Sequence, residues 1–169
     1  DGRQQITGFH MGGDMLGLHG ISVGHYIYDA IALEDGAACR LPYTRMQALA
    51  QRLPALQAHL NHAMSRQIAD QHGVMLLLGN MRADERVAAF LLNLLQRLEA
   101  RGYSGTEMLM RMTREEIGSY LGLKLETVSR IFSRFAADGL IEVANKHVRV
   151  LDMDELQALV QLPGCAQAA

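Results

Sequence analysis

The chain has 169 residues, 49% hydrophobic and 20% charged, which supports a buried core and excludes a disordered chain. Its formal charge is −2 at pH 7, so no global basic field marks a nucleic-acid binder and any such site has to be local. Two cysteines, Cys39 and Cys165, exclude a disulfide framework, and no run approaches the roughly 18 apolar residues of a membrane span.

Asp1-Gly2 is a turn dipeptide with no Met before it, and a turn joins two elements, so the chain reads as a piece of a longer protein. Residues 4–9, 15–18, 26–33 and 37–43 are short, partly apolar runs punctuated by glycines, which predicts strands of a β-sandwich, roll or barrel. Cys39, within the last run, reads from the residues alone as a buried strand cysteine. Residues 53–80 change character. Pro54 suits a first helical turn, and Asn61, Met64, Ile68, Gln71, Met75 and Leu78 follow at spacings of 3, 4, 3, 4 and 3. That stripe fits a helix packed on its own domain or a two-chain coiled coil, with Asn61 and Gln71 as polar seam positions and Gly79-Asn80 as the stop. A further helix is expected over 83–101, with Asp84 and Glu85 in its first turn, an apolar stripe from Val87 to Leu98, and Gly102 past its end.

Residues 113–135 read TREEIGSYLGLKLETVSRIFSRF. Thr113 and Glu116 form a capping-box pair opening one helix, Gly122 permits a turn, and a second helix runs from about 125 to 136. This is the pattern of a helix-turn-helix, whose second helix enters the major groove. With Val128, Ile131 and Phe135 turned inward, Glu126, Thr127, Ser129, Arg130 and Ser133 turn outward. Arg130 can grip guanine O6 and N7 bidentately, Glu126 can accept from cytosine N4, and Thr113, Lys124 and Arg134 can hold phosphates. Five basic residues (Arg111, Arg114, Lys124, Arg130, Arg134) against three acidic ones (Glu115, Glu116, Glu126) make this stretch +2 within a negative chain. Two β-rich runs around Ala144-Asn145 add a wing, and a short helix over 152–161 closes the unit before a polar tail.

MTREEIGSYLGLKLETVSRIFSRF, the preceding DERVAAFLLNL and the early QITGFHMGGDMLGL together resemble the Crp/Fnr superfamily of transcription regulators, in its oxygen-responsive FNR/ANR branch. The resemblance covers about residues 4–159. It implies an α+β fold: a partial cyclic-nucleotide-binding-like β-roll (1–52), a long dimerisation helix (53–80), a winged helix-turn-helix (81–162) and a tail (163–169). It also implies that Glu126, Ser129 and Arg130 read TTGAT half-sites of palindromic DNA, that the protein is a homodimer, and that a loop at Gly2-Arg3 contacts RNA polymerase. Cys39 matches the β-roll cysteine that, with three upstream cysteines, holds a [4Fe–4S] cluster in this branch. A lone thiolate cannot hold one, so the cluster is expected in the full-length protein only.

No Arg or Lys lies between Arg3 and Arg40 to pair with a cyclic phosphate, so cAMP is rejected as ligand. Gln71, beside Asp70, stands where the branch often carries Asp, which implies easier dimerisation. The seven histidines show no metal-ligand spacing, and no nucleophile elbow, phosphate loop or paired-carboxylate motif marks an enzyme. The expected setting is the cytoplasm, with no membrane partner. The other reading is a dimeric sensor of haem, NO or a small molecule in which Cys39 is only structural. A cysteine cluster upstream discriminates the two.

Overall fold

The computed structural model describes residues 5–160. Contacts divide the chain into two units, one of Phe9–Met75 and one of Leu76 onward together with the residues up to Gly8. The first unit holds α1 (Gly20–Val23), α2 (Tyr43–Ala50) and the greater part of α3 (Pro54–Asn80). The second holds the last turn of α3, then α4 (Ala83–Glu99), β1 (Glu107–Leu109), α5 (Arg114–Leu121), α6 (Leu125–Ala137), β2 (Ile141–Ala144), β3 (His147–Val150) and α7 (Met153–Ala158). No described helix is long and apolar enough to cross a membrane.

The expected partial β-roll is not formed among the described residues: no strand precedes Glu107. A strand persists only when its N–H and C=O groups are paired in a ladder. Here positive-φ glycines at 13, 17 and 24 cut the apolar runs short, and no run meets another in register. Tyr26, Ile27, Tyr28 and Ile31 are therefore exposed rather than turned into a core. Cys39 is exposed as well, so its reading as a buried strand cysteine is corrected. Helix α3 ends at Asn80, as the Gly79-Asn80 pair predicts, but without the left-handed backbone of a glycine stop, Gly79 lying inside the last turn.

Along α3 only Leu60 is buried. Of the heptad stripe, Asn61, Ile68, Gln71 and Met75 face outward, with Ile68 58% and Met75 70% exposed. Met64 is half-buried at a crevice lined by Leu18, Ile21, Tyr43 and Leu60, so it packs within its own unit. Leu78 is half-buried in the other unit.

The second unit is built around α4. Val87, Phe90, Leu91, Leu94 and Leu95 are buried, as are Ile117 and Leu121 of α5, Val128, Ile131 and Phe135 of α6, and Leu156 of α7, and α4 packs on α6 and α7. Each such side chain stabilises by about 1.5–3 kcal/mol relative to exposure. Strands β2 and β3 form an antiparallel hairpin in which Ala144 pairs with His147, and Asn145 takes the left-handed φ of +56° that this residue type tolerates. Strand β1 adds to the other side of β3, giving the order β1-β3-β2. Asp152 caps α7, its carboxylate accepting from the Glu155 N–H at 2.9 Å.

Candidate nucleic-acid interface

The helix-turn-helix starts from its cap. The Thr113 hydroxyl accepts from the Glu116 N–H at 3.1 Å, and the Glu116 carboxylate accepts from the Thr113 N–H, so two orphan donors of α5 are satisfied reciprocally. The same carboxylate accepts a hydrogen bond from the Thr113 hydroxyl at 2.9 Å. Helix α5 ends at Gly122, whose φ of +65° only glycine adopts without strain. The chain then folds back so closely that a Cβ on Gly118 would stand 2.6 Å from the Leu123 carbonyl oxygen. The Leu123 N–H donates to the Gly118 carbonyl at 2.8 Å, which locks the turn.

This turn launches α6 with one face sealed. Val128, Ile131, Phe132 and Phe135 are buried, while Glu126, Arg130, Ser133 and Arg134 are exposed and Thr127 and Ser129 half-exposed. Glu126 and Arg130 stand at i and i+4, a spacing at which such a pair commonly closes on itself. Here neither has a hydrogen bond or ion pair among the described residues, and Lys124 has none either. The groove beside this face, about 470 Å³, is lined by Arg82, Ala83 and Asp84 at the start of α4 and by Thr127, Arg130, Ile131 and Arg134 of α6.

The expected cations are not equivalent. Arg134 pairs with Asp84 at 3.2 Å. Arg114 lies 3.4 Å over the Phe132 ring, and burial lowers its pKa from the ordinary arginine value, so it is a packed cation rather than a free one. Two further residues line the groove: Arg82, for which the sequence carries no signal, and Asp84, expected only as a partner of the helix dipole at the start of α4. Arg82 is bound to Glu85: the carboxylate accepts from the Arg82 N–H at 2.9 Å and from Nε at 2.7 Å. The backbone bond first, and then the side-chain bond, hold the Glu85 carboxyl below the usual carboxylate range.

The remaining expected positions are not gathered here. Cys39 is exposed in the other unit, and no group of three or more His, Cys, Asp or Glu suited to a metal occurs among the described residues. A [4Fe–4S] centre takes four thiolates, so these residues do not hold one. Gly2 and Arg3, expected at a polymerase contact, and Cys165 lie outside the described residues.

Residues 85–159 match the family of Crp-like helix-turn-helix domains. The chain is similar to the transcriptional regulatory protein btr of Bordetella pertussis, 46% identical over 164 residues covering 97% of this chain and 68% of btr. It is similar to the transcriptional activator protein anr of Pseudomonas aeruginosa, 47% identical over 165 residues covering 96% of this chain and 68% of anr. The structure of FixK2 from Bradyrhizobium japonicum aligns with a TM-score of 0.64 at 31% identity, over 75% of this chain and 60% of FixK2. The chain thus spans about two thirds of the length of these relatives.

Proposed function

The chain belongs to the Crp/Fnr family of transcription regulators, in its FNR/ANR branch, and from that premise we propose how it reads DNA and what it responds to. It is a DNA-binding regulator and not an enzyme. In the proposed reading two copies pair along the exposed part of the stripe, Asn61, Ile68, Gln71 and Met75. Each lays α6 in the major groove of a TTGAT-type half-site, the half-sites lying about one helical turn apart. Arg130 grips guanine, Glu126 accepts from cytosine, and Ser129 and Thr127 fill the contact between them. Lys124, Arg134 and Thr113 hold phosphates. The Thr113 hydroxyl has to rotate away from Glu116 to donate.

One observation carries this reading. Glu126 and Arg130 are exposed, and their side chains unpaired among the described residues, on the outward face of a helix whose opposite face is sealed in the core. A free carboxylate and a free guanidinium on one rigid face are readers awaiting partners. The test is Arg130→Ala, measured against duplexes that vary each base of the half-site. The expected loss is about 1–3 kcal/mol at the guanine, with discrimination at that position relaxed. Equal loss on random DNA would show Arg130 to be a phosphate contact and refute the assignment.

The regulatory input of the full-length protein is proposed to be oxygen, through a [4Fe–4S] cluster to which Cys39 gives one thiolate. Loss of cluster absorbance in full-length Cys39→Ser protein is the expected result, and an unchanged spectrum would remove Cys39 from the ligand set. The proposed output is activation of genes for growth at low oxygen, in the cytoplasm, through a contact of Gly2-Arg3 with RNA polymerase.

A further inference from the structure

Arg86, in the first turns of α4, points away from its own helix. Its guanidinium donates to three backbone carbonyls in other segments: Nη2 to Leu78 at 2.7 Å, Nε to Met81 at 2.9 Å, and Nη1 to Leu121 at 3.1 Å. Leu78 lies in the last turn of α3, Met81 in the link between α3 and α4, and Leu121 is the last residue of α5. The final carbonyls of a helix lack intrahelical partners and form the negative end of its dipole. One planar guanidinium with donors in a fixed fork satisfies two such ends at once. The approach is close: a Cβ on Gly122, at the turn between α5 and α6, would stand 3.5 Å from Leu78 Cδ2 and 3.6 Å from Arg86 Nη1. The end of α3 and the turn that launches α6 are therefore fastened to the same group.

We infer that Arg86 is a positioning residue that fixes the direction in which α3 leaves the helix-turn-helix, and thereby sets the half-site spacing that the protein accepts. This rests on the proposed homodimer pairing along α3. Base reading is local to α6 and needs no particular α3 direction. Spacing is not local, because in a dimer the separation of the two reading helices follows from the angle between each α6 and the α3 on which the copies pair. The link between α3 and α4 is only Met81 and Arg82, and free rotation at those two residues would swing α3 unless something holds it. Removing the three donors frees that rotation while leaving the apolar core of the winged helix untouched. An arginine that merely supported the fold would weaken base reading and spacing preference together.

The test compares the full chain with Arg86→Met, which keeps the stem without the donors, and Arg86→Lys, which keeps the charge without the fork. Each is bound to duplexes carrying two half-sites at the preferred spacing, two half-sites with one base pair added or removed, and a single half-site. Urea unfolding reports whether each variant folds. Arg86→Met is expected to lose about tenfold in preference for the correct spacing, the worth of one charge-assisted hydrogen bond, while discriminating bases within a half-site as the parent does. Arg86→Lys is expected to fall between, and it carries the test if Arg86→Met does not fold. A folded variant with the parent's spacing preference, or with parallel loss of base discrimination, overturns the assignment. A parent chain that binds single half-sites without any spacing preference overturns the homodimer reading, and this role with it.

Discussion

Gly118→Ala tests the helix-turn-helix geometry at its tightest point. In an open helix the change would stabilise, because alanine gains about 1 kcal/mol over glycine in helix propensity. Gly118 is not open: the added Cβ would stand 2.6 Å from the Leu123 carbonyl oxygen, a backbone atom in a turn that is itself bonded to the Gly118 carbonyl. Nothing flexible can give way, so the turn must move by most of an ångström. Overpacking of this kind costs about 1–3 kcal/mol. Set against the propensity gain, the net expectation is a loss of up to about 2 kcal/mol, or a Tm lower by up to about 8 °C for a chain of this length. Gly73→Ala is the control. Gly73 lies inside α3 with nothing within 4 Å of its would-be Cβ, and it is off the exposed stripe. There the propensity term acts alone, and Tm is expected to rise by about 1–4 °C. The assay is thermal unfolding followed by far-ultraviolet circular dichroism, with half-site binding measured alongside. Gly118→Ala protein stabilised as Gly73→Ala protein is would refute the argument that the turn is locked at this contact.

Asp84→Asn releases Arg134 from its ion pair. Both groups are partly solvated, at 25% and 52% exposure, so folding should change by less than about 1 kcal/mol. Binding to any DNA should strengthen, and the salt dependence should steepen by about one counterion, seen in a titration over salt concentration. Weaker binding at an unchanged slope would mean instead that Asp84 aims Arg134 at its phosphate. Gln71→Asp places a second carboxylate beside Asp70 on an exposed part of α3. Like charges meeting across a seam repel by about 1 kcal/mol in water, so the dimer should weaken about fivefold at low salt and recover at high salt. Sedimentation equilibrium at two ionic strengths reads this directly, and no change at either would place Gln71 off the pairing surface.

The second unit was legible because its signals are local. The Thr113 and Glu116 cap, the Gly122 turn, the apolar positions of α6 and the hairpin around Asn145 are each written within a few residues, and each returns in the coordinates. Strand β1 was not legible, since Glu107–Leu109 is too short to show an alternation and exists by pairing with β3 some forty residues on. Residues 5–42 differ from expectation for the same reason in reverse. Their composition favours strands, but a strand needs a neighbour, and composition does not say whether one is present. At the site, side-chain identity predicted what faces outward but not what is already occupied. The pairing of Arg134 with Asp84 crosses fifty positions, and the stacking of Arg114 on Phe132 joins two helices.

That occupancy changes what the local charge can do. Counted along the sequence, residues 111–134 carry a surplus of two positive charges. In space, Arg134 is offset by Asp84, Arg114 stacks on a ring and Arg111 has an interaction of its own, which leaves Lys124 and Arg130, at the start and middle of α6, as the exposed cations of this stretch without side-chain partners among the described residues. Phosphate attraction scales with the number of free cations and is blind to sequence. On the proposed reading, a face with few of them and an unpaired carboxylate among them gains little from a random duplex, where Glu126 meets phosphate or a mismatched acceptor. It gains most where guanine and cytosine edges meet Arg130 and Glu126 together. The acidic residues of this face thus lower general affinity and widen the gap between right and wrong sites, which is how a chain of net charge −2 can be selective for DNA.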